Sequence, residues 1–244
     1  MSEKIAIKNK ALKVFITGAT SGIGESLAHQ YANQGATLGL VGRRLELLHK
    51  IKLNIKTPCE IYGVDVTDQK NLQKAANHFI KKYGAPDIVI ANAGVSSGTL
   101  AGEKKDLHTF KRIVEINLFG VIHTFLPFIE IFKKQKSGQL VGIASVAGIR
   151  GLPGSGAYST SKAALINYLE SLRIEMKSFG IHVTTIAPGY IHTPMTKHNR
   201  YIMPFILDVD VAVSRFIKAI QNKRRFVIIP WQMNIVGNLM KLLP

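Results

Sequence analysis

Repeated alternation of short apolar runs with helical patterns is the feature that most constrains the fold of this chain. The apolar run 12–17 ends at Gly18, and residues 23–31 follow with helical spacing, which predicts a strand, a glycine turn and a helix. Further strands are predicted at 37–41, 60–66, 87–91, 139–144, 182–187 and 226–229, and further helices at about 44–54, 68–83, 107–134, 157–179 and 209–222. Most of these strands are almost wholly apolar, as in strands covered on both faces. The alternation therefore predicts an α/β fold with a doubly wound, mostly parallel sheet of about seven strands and helices on both faces.

Composition agrees with one globular domain. The 244 residues are 46% hydrophobic and 19% charged, which excludes disordered, collagen-like and disulfide-scaffold classes. No linker-like stretch divides the chain, so residues 1–244 are interpreted as a single domain. The lone cysteine, Cys59, forbids an internal disulfide and fits a reducing compartment. Residues 1–13 lack the apolar core of a signal peptide, and no run approaches the roughly 20 apolar residues of a membrane span, so a cytoplasmic location is expected.

The charge balance favours an acidic partner. Lys and Arg total 32 against 15 Asp and Glu, a formal net charge of +17. Nucleotides, nucleic acid, anionic lipid and acidic proteins all satisfy that balance. The basic residues are scattered through the predicted helices without a recognition motif, so a nucleic-acid partner is not expected.

Three long loops predict where a ligand binds. Residues 95–105, 147–156 and 190–207 each follow a predicted strand, and parallel strands end at the same edge of a sheet. Open α/β sheets bind their ligands at that edge. We therefore expect a pocket built from these loops, with 190–207 as a lid over the substrate.

The first strand and helix are joined by a glycine-rich turn suited to a pyrophosphate. Gly18, Gly22 and Gly24 have the spacing G-x-x-x-G-x-G, where backbone amides and the helix dipole can receive an anion. No Lys-Ser/Thr pair ends the turn, which disfavours a nucleotide triphosphatase loop. An ordinary strand-to-helix turn is the alternative.

Two arginines after the second strand favour NADPH over NADH. A carboxylate at this place selects the unphosphorylated ribose, whereas arginine accommodates the 2′-phosphate. No carboxylate occurs in residues 36–45, and Arg43 and Arg44 stand there instead. Arg43 is favoured because it comes first after the strand. In the alternative interpretation, one or both arginines simply begin a solvated helix.

Tyr158 and Lys162 lie four residues apart on a predicted helix and so share one face. An ammonium group at about 4 Å, in an effective dielectric of about 20, would bring the pKa of a phenol from about 10 to near neutrality. Such a phenol could give a proton to a carbonyl oxygen or take one from an alcohol. A Tyr-x-x-x-Lys pair alone is weak evidence, since most such pairs decorate a helix surface.

In combination, these residues resemble the short-chain dehydrogenase/reductase family across about residues 11–193. Its elements occur in order: Thr17 to Gly24, Asn92-Ala93-Gly94, Asn117, Ser145, Tyr158 with Lys162, and Pro188-Gly189. The resemblance implies a Rossmann fold, a nicotinamide cofactor, and an oligomer, a homodimer or homotetramer.

The resemblance also assigns a catalytic tetrad. By it, Tyr158 is the general acid/base, and Lys162 lowers its pKa and holds the nicotinamide ribose. Ser145 would hydrogen-bond the substrate oxygen, and Asn117 would position a water and a backbone carbonyl in a proton relay.

Further positions are assigned to the cofactor. Asp65 is similar to the residue that meets the adenine amine, and Thr193 to the hydroxyl that anchors the carboxamide, although either could be a plain turn or loop residue. At the family's other basic site for the 2′-phosphate this chain has Ser21, so the arginines carry the NADPH prediction. The expected cofactor residues are Gly18, Thr20, Ser21, Gly22, Ile23, Gly24, Arg43, Arg44, Asp65, Val66, Asn92, Ala93, Gly94, Tyr158, Lys162, Pro188, Gly189, Ile191 and Thr193.

Apolar residues in the lid favour a lipophilic carbonyl or alcohol substrate. They are Met195, Tyr201, Ile202, Met203, Pro204, Phe205, Ile206 and Leu207. The alternative is that most of them dock the lid on the core. No metal site is expected, because the eight histidines show no ligand spacing.

Residues 231–244 predict an apolar C-terminal helix that begins with Trp231. Its apolar face consists of Ile235, Val236, Leu239, Met240, Leu242 and Leu243. Such a helix suits a subunit contact, a cover over the pocket, or peripheral contact with an anionic membrane.

The sequence thus predicts an NADPH-dependent reductase of a ketone or aldehyde. The runner-up is a 3-oxoacyl-acyl-carrier-protein reductase, for which a basic surface would suit an acidic carrier. A non-catalytic nucleotide-sensing or interaction protein is the alternative of a different class. A complete tetrad argues against it, since a silent relative has no need for one.

Overall fold

The computed structural model describes residues 11–197, 199 and 202–242, and these form one seven-stranded parallel sheet with helices on both faces. The strands are β1 (Lys13–Thr17), β2 (Thr37–Gly42), β3 (Cys59–Gly63), β4 (Ile88–Ala91), β5 (Gly138–Ile143), β6 (Ile181–Pro188) and β7 (Phe226–Ile229). The helices are α1 (Gly22–Asn33), α2 (Leu45–Leu53), α3 (Gln69–Tyr83), α4 (Leu107–Val114), α5 (Gly120–Gln135), α6 (Gly156–Met176), α7 (Val209–Gln221) and α8 (Gln232–Leu242). The predicted fold class is confirmed.

The strand order places a crevice at the centre of the sheet. The order is β3-β2-β1-β4-β5-β6-β7, so the chain moves outward in one direction from β1 and in the other from β4. Thr17 of β1 pairs with Ala91 of β4, and the chain crosses from these two strands to opposite sides of the sheet, to β2 and to β5. A reversal of this kind is where open α/β sheets bind ligands.

Two apolar cores cover the sheet, because successive side chains of a strand point to opposite faces. Ile16 of β1 packs in the core shared with α1, α2 and α7. The neighbouring Phe15 packs in the other core, with α3, α5 and α6. There its ring lies 5.6 Å from that of Phe79 and 5.0 Å from that of Phe128, centroid to centroid.

The predicted helix 107–134 is interrupted. Between α4 and α5 the chain forms a π-helical segment, Glu115–Phe119. Its wider turn contains Asn117, and such segments frequently occur at functional sites. A short change from α-helical to π-helical turns does not show in the spacing of hydrophobic residues. The sequence therefore predicted one continuous helix.

The predicted strand 60–66 is too long at its carboxyl end. β3 ends at Gly63, where its neighbour β2 ends at Gly42, and no strand is paired with it beyond that point. Asp65 turns the chain, with its Oδ1 accepting hydrogen bonds from the backbone N and the hydroxyl of Thr67, both at 3.0 Å.

One helical run in the described part of the chain, Lys104–Gln135, is long and apolar enough to cross a membrane by length and composition alone. The sequence analysis did not predict a helix of this length and apolar character. Phe125, Phe128 and Phe132 on this run are fully buried against the sheet, so its apolar character is that of a core helix.

Phe128→Ala tests the aromatic core. We expect the substitution to lower the free energy of unfolding by about 3–5 kcal/mol, because it leaves a cavity beside the Phe15 ring. Urea denaturation measures the loss. Leu53→Ala is the control, since Leu53 is 86% exposed and should change stability by no more than about 0.5 kcal/mol. Equal losses for the two variants would contradict the assigned packing.

Candidate active site

A cavity lies at the carboxyl edge of the sheet, over the crevice between β1 and β4. It is lined by the glycine turn, the segments that follow β2 to β6, and the first turns of α6. Every cofactor and catalytic residue expected from the sequence lines it except Gly24 and Asn117. The fold therefore brings together residues from Gly18 to Thr196, which lie far apart in the sequence.

The glycine turn is shaped by close backbone approaches. Gly18 has φ +69°, and a Cβ there would lie 2.6 Å from the Cα of Ala93. A Cβ on Gly24 would overlap the carbonyl oxygen of Gly18, so Gly24 lets α1 start against the end of β1. The Asn92 amide donates to the carbonyl oxygens of Thr17 and Gly18 at 3.2 and 3.1 Å. The turn is thus tied to β4 and leaves a side-chain-free cradle of the kind a pyrophosphate needs.

The two arginines after β2 make different contacts. Arg44 Nη2 donates to the hydroxyls of Thr20 and Ser21 at 2.8 and 3.0 Å. Arg43 Nη1 lies 3.7 Å from the Asp65 carboxylate, and both side chains are well exposed. Chain order favoured Arg43, but Arg44 is the arginine that joins the hydroxyls of the glycine turn.

A threonine turn positions Thr193 at the cavity. The hydroxyl of Thr196 accepts from the backbone N of Thr193 at 3.1 Å and donates to the carbonyl oxygen of Ile191 at 2.6 Å. Gly22 faces this turn, and a Cβ on it would lie 3.2 Å from the Thr193 side chain. The loop after β6 and the glycine turn therefore meet at the wall of one cavity.

Lys162 is a buried cation at the base of the site. Its side chain is 4% exposed, and its Nζ donates to the carbonyl oxygen of Ile143 at 2.8 Å. The Nζ also lies 5.8 Å from the centroid of the Tyr158 ring. Burial lowers the pKa of Lys162 from its ordinary value of 10.5 to about 8. The one-turn spacing on α6 thus places an ammonium group beside a phenol at the cavity.

Ser145 is set up to donate a hydrogen bond. It lies directly after β5 and is 8% exposed, and its Oγ accepts from the backbone N of Ala147 at 3.1 Å. Since one lone pair is used by that amide, the hydroxyl hydrogen can be offered to an oxygen in the cavity.

The Asn117 side chain supports the wall of the cavity through hydrogen bonds. Its Oδ1 accepts from the backbone N of Val95 at 2.8 Å, and its Nδ2 donates to the carbonyl oxygen of Val95 at 2.9 Å and to the Ser161 hydroxyl at 3.0 Å. The side chain is fully buried. It joins the segment after β4 to α6, the helix that carries Tyr158 and Lys162.

Several lining residues were not among the predicted catalytic or cofactor residues, although Met195 was predicted as part of the lid. They are Gly42, Val64, Val95, Ile116, Ile143, Ala144, Pro194, Met195 and Thr196. Most are apolar residues next to predicted ones, and they contribute backbone or packing surface that no motif marks. Thr196 could have been found, because a threonine three residues after Thr193 is typical of a side-chain-stabilised turn.

The first residues of the lid, Pro194 to Thr196, line the cavity. Ile191 pairs with Leu207 across the loop, and Leu207 packs against the core. Met195, Ile202 and Phe205 are 47%, 91% and 50% exposed, so the lid is only partly docked on the core. Tyr201 lies outside the described residues.

α8 packs on the same side of the fold through one of its faces. The Met233 side chain is 5% exposed and contacts Gly189, and Gly237 faces Ile149. Trp231, Ile235 and Leu239 form an exposed stripe on the opposite face. Leu243 and the side chains of Met240 and Leu242 lie outside the described part.

The described residues contain no group of three or more His, Cys, Asp or Glu side chains that could hold a metal ion. The cavity is lined by the phenol of Tyr158, the hydroxyl of Ser145 and the buried ammonium group of Lys162, beside the glycine turn. These groups suit proton transfer at a carbonyl or alcohol oxygen.

Comparison with known proteins identifies the family. The sequence model of the family described as "short chain dehydrogenase" matches residues 12–201. An uncharacterized oxidoreductase of Myxococcus xanthus is 34% identical over 232 residues, which cover 94% of this chain and 91% of that protein. The chain therefore belongs to the short-chain dehydrogenase family of oxidoreductases, and the resemblance stated from the motifs is confirmed.

Two further similar proteins carry more specific descriptions. A 3-oxoacyl-[acyl-carrier-protein] reductase of Thermotoga maritima is 32% identical over 185 residues, which cover 75% of each chain. The solved structure of an alcohol dehydrogenase from Thermococcus sibiricus, complexed with 5-hydroxy-NADP, matches with a TM-score of 0.81 at 23% identity. The match covers 90% of this chain and 96% of that chain.

Lys162→Met tests the buried cation through the pH dependence of stability. The lowered pKa means that the folded protein binds fewer protons than the unfolded chain between about pH 8 and pH 10.5, so folding stability rises with pH there. Below about pH 8 the cost of the buried charge is fully present. Urea denaturation should show the variant more stable than the wild type by up to about 3 kcal/mol at pH 7, and the difference should shrink towards pH 10.5. A difference that stays constant over this range would contradict the assignment.

Proposed function

We propose that this protein is an NADPH-dependent reductase of lipophilic ketones or aldehydes, working in reverse as an alcohol dehydrogenase. The observation that carries the proposal is the shared cavity. Tyr158, Lys162 and Ser145 line the same space as the glycine turn and the arginines after β2. A protein that only sensed the nucleotide would have no need for a phenol beside a buried ammonium group.

The residues of the chain divide the work as follows. When bound, NADPH supplies the hydride that reduces the carbonyl carbon of the substrate. Tyr158 donates a proton from its Oη to the carbonyl oxygen, and Ser145 donates a hydrogen bond that holds that oxygen. Lys162 stabilises the phenolate that remains on Tyr158 and offers its other donors to the nicotinamide ribose. The Asn117 side chain keeps the Val95 segment and α6 in register.

The preference for NADPH rests on the positive charge after β2. Arg44, Thr20 and Ser21 form a cluster of one cation and two hydroxyls at the rim of the cradle, which suits a phosphate. Arg43 adds a second cation, partly offset by Asp65. The alcohol dehydrogenase of T. sibiricus, of the same fold, was solved with an NADP derivative.

The substrate class is proposed from the apolar rim of the cavity. Met195 lines the cavity, and Ile202 and Phe205 of the same loop are exposed apolar groups that can close over a bound molecule. The 3-oxoacyl-carrier substrate of the T. maritima relative is the second candidate, favoured by the 32% identity and the basic surface. A homodimer or homotetramer stays a prediction, as does membrane or subunit contact through the exposed stripe on α8.

Tyr158→Phe tests the reaction. We expect kcat/KM for ketone reduction to fall by about 10²- to 10⁴-fold, because the proton donor is lost while the cradle is intact. NADPH absorbance is followed with aromatic and steroidal ketones and with a 3-oxoacyl thioester, and NADPH binding is measured separately. Tyr168→Phe on the same helix is the matched control, since Tyr168 does not line the cavity. Turnover by Tyr158→Phe at the wild-type rate would refute the assigned role.

The same assay separates the competing functions. Turnover of the thioester well above that of all the lipophilic ketones would replace the proposed substrate class with the second candidate. NADPH binding without turnover of any substrate in the panel would favour a nucleotide-sensing protein.

Arg44→Gln and Arg43→Gln test the choice of cofactor. Arg44→Gln should weaken NADPH binding about 10- to 100-fold and NADH binding by less than about 3-fold, because the lost donors serve the 2′-phosphate. Arg43→Gln should have the smaller effect on NADPH. Quenching of intrinsic fluorescence on titration gives both dissociation constants. Equal weakening of NADPH and NADH by Arg44→Gln would contradict the proposal.

A further inference from the structure

The fold collects basic side chains at the edge of the sheet opposite the cavity. Each helix between two parallel strands returns the chain to the edge where the strands begin, so the ends of α2, α3, α5, α6 and α7 lie there together. We call this surface the basic edge. Its exposed cationic side chains are Lys50, Lys56, Lys81, Lys82, Lys134, Lys136, Lys177, Lys218, Lys223, Arg224 and Arg225.

Few carboxylates offset this charge. Of the acidic side chains near the edge, Glu60 is paired with Lys82, and Glu130 is paired with Lys133 at 3.1 Å. Glu175, in the last turn of α6, is an exposed carboxylate at the same edge. Asp87 accepts a hydrogen bond from the backbone N of Lys13. Within the described residues, the Lys134, Lys136, Lys177 and Lys223–Arg225 groups take part in no ion pair. Burial and the nearby Lys223 lower the pKa of His182, as expected in a positive local field.

Helix stability does not account for the pattern. A cation in the last turn of a helix is favoured by the helix dipole, and Lys50, Lys81 and Lys134 lie in such turns. Lys56, Lys136 and Lys223 to Arg225 follow the helices rather than ending them, and so gain little from a dipole that acts over the last turn. Like charges gathered at one edge repel one another and call for an anionic partner.

Exposed apolar side chains are interleaved with these cations. Leu53, Ile174 and Phe226 are 86%, 72% and 41% exposed at the ends of α2 and α6 and at the start of β7. Phe179, 38% exposed, follows α6 and lies with its ring 5.1 Å from the Nζ of Lys133.

We propose that the basic edge binds the surface of an anionic lipid bilayer. Phosphate headgroups match a broad array of lysines, and aliphatic and aromatic side chains between the cations can enter the interface. Leu53 and Ile174, the most exposed of the four apolar side chains, offer no ring for base stacking, and the Phe179 ring already lies against Lys133, which makes this surface poorer for single-stranded nucleic acid. An acidic carrier would have to reach the cavity, which lies at the other edge of the sheet. Bound in this way, the protein keeps its cavity turned to the aqueous side.

The proposal differs from membrane contact through the C-terminal helix, because α8 follows the carboxyl end of β7 and the basic edge lies at its beginning. The two surfaces can be changed separately. The exposed stripe of α8 is removed by Trp231→Ser, Ile235→Ser and Leu239→Ser together. The basic edge is weakened by Lys223→Gln, Arg224→Gln and Arg225→Gln, or independently by Lys134→Gln, Lys136→Gln and Lys177→Gln.

Flotation of the full chain with vesicles tests the proposal. Phosphatidylcholine vesicles with about 30% phosphatidylglycerol should carry the wild-type protein at 0.1 M salt, and pure phosphatidylcholine vesicles should not. Each basic-edge variant should lower the bound fraction at least about fivefold, and salt should lower it as well, since the attraction is screened. The matched control is Lys104→Gln, Lys105→Gln and Lys111→Gln, which removes the same charge from the 104–111 segment and should bind like the wild type. NADPH binding shows that each variant is folded.

Four results would overturn the proposal. One is the absence of wild-type binding to the anionic vesicles. Another is loss of binding in the α8 variant with the basic-edge variants unaffected. The third is equal loss in the control and basic-edge variants, which would mean that net charge alone drives binding. Tight binding of a single-stranded RNA that the vesicles cannot displace would likewise replace the bilayer with a nucleic acid.

Discussion

The arrangement of the active site depends on a cation that the fold keeps out of water. Lys162 is held under the carboxyl edge of the sheet by its hydrogen bond to Ile143, the last residue of β5. A buried ammonium group is costly, and its lowered pKa reflects that cost. The ammonium group of Lys162 lies one helical turn from the phenol of Tyr158 and at the wall of the nucleotide cradle, where its charge can act on both.

Buried hydrogen bonds and strand pairing fix the position of Lys162. The fully buried Asn117 amide joins the segment after β4 to α6, and the π-helical segment sets the position of that amide. Strand β5 pairs with β4 on one side and with β6 on the other. This register fixes how far Ile143 and Ser145 lie along the strand direction relative to the glycine turn. A shift of one residue in any of these registers would turn the donor groups away from the cavity.

The sequence was informative where a single residue type answers a local physical demand. The Gly18 and Gly24 positions, the apolar strands and the Tyr158–Lys162 spacing are of this kind, and they were sufficient for the fold class and the family. It was less informative where the outcome depends on three-dimensional neighbours. The order of Arg43 and Arg44 along the chain does not show their contacts, and only the structure shows that Arg44 bonds the hydroxyls of the glycine turn while Arg43 lies beside Asp65. The basic residues were interpreted as scattered, because only the antiparallel return of each helix gathers them at one edge.

The central claim is that the buried ammonium group and the phenol face the reacting end of a bound cofactor. A crystal structure of the protein with NADP⁺ tests it most directly. The account predicts the nicotinamide ring in the cavity beside Tyr158, with the Nζ of Lys162 bonded to the ribose hydroxyls. A Tyr158 hydroxyl that points away from the ring, or a dinucleotide bound outside the crevice between β1 and β4, would contradict it.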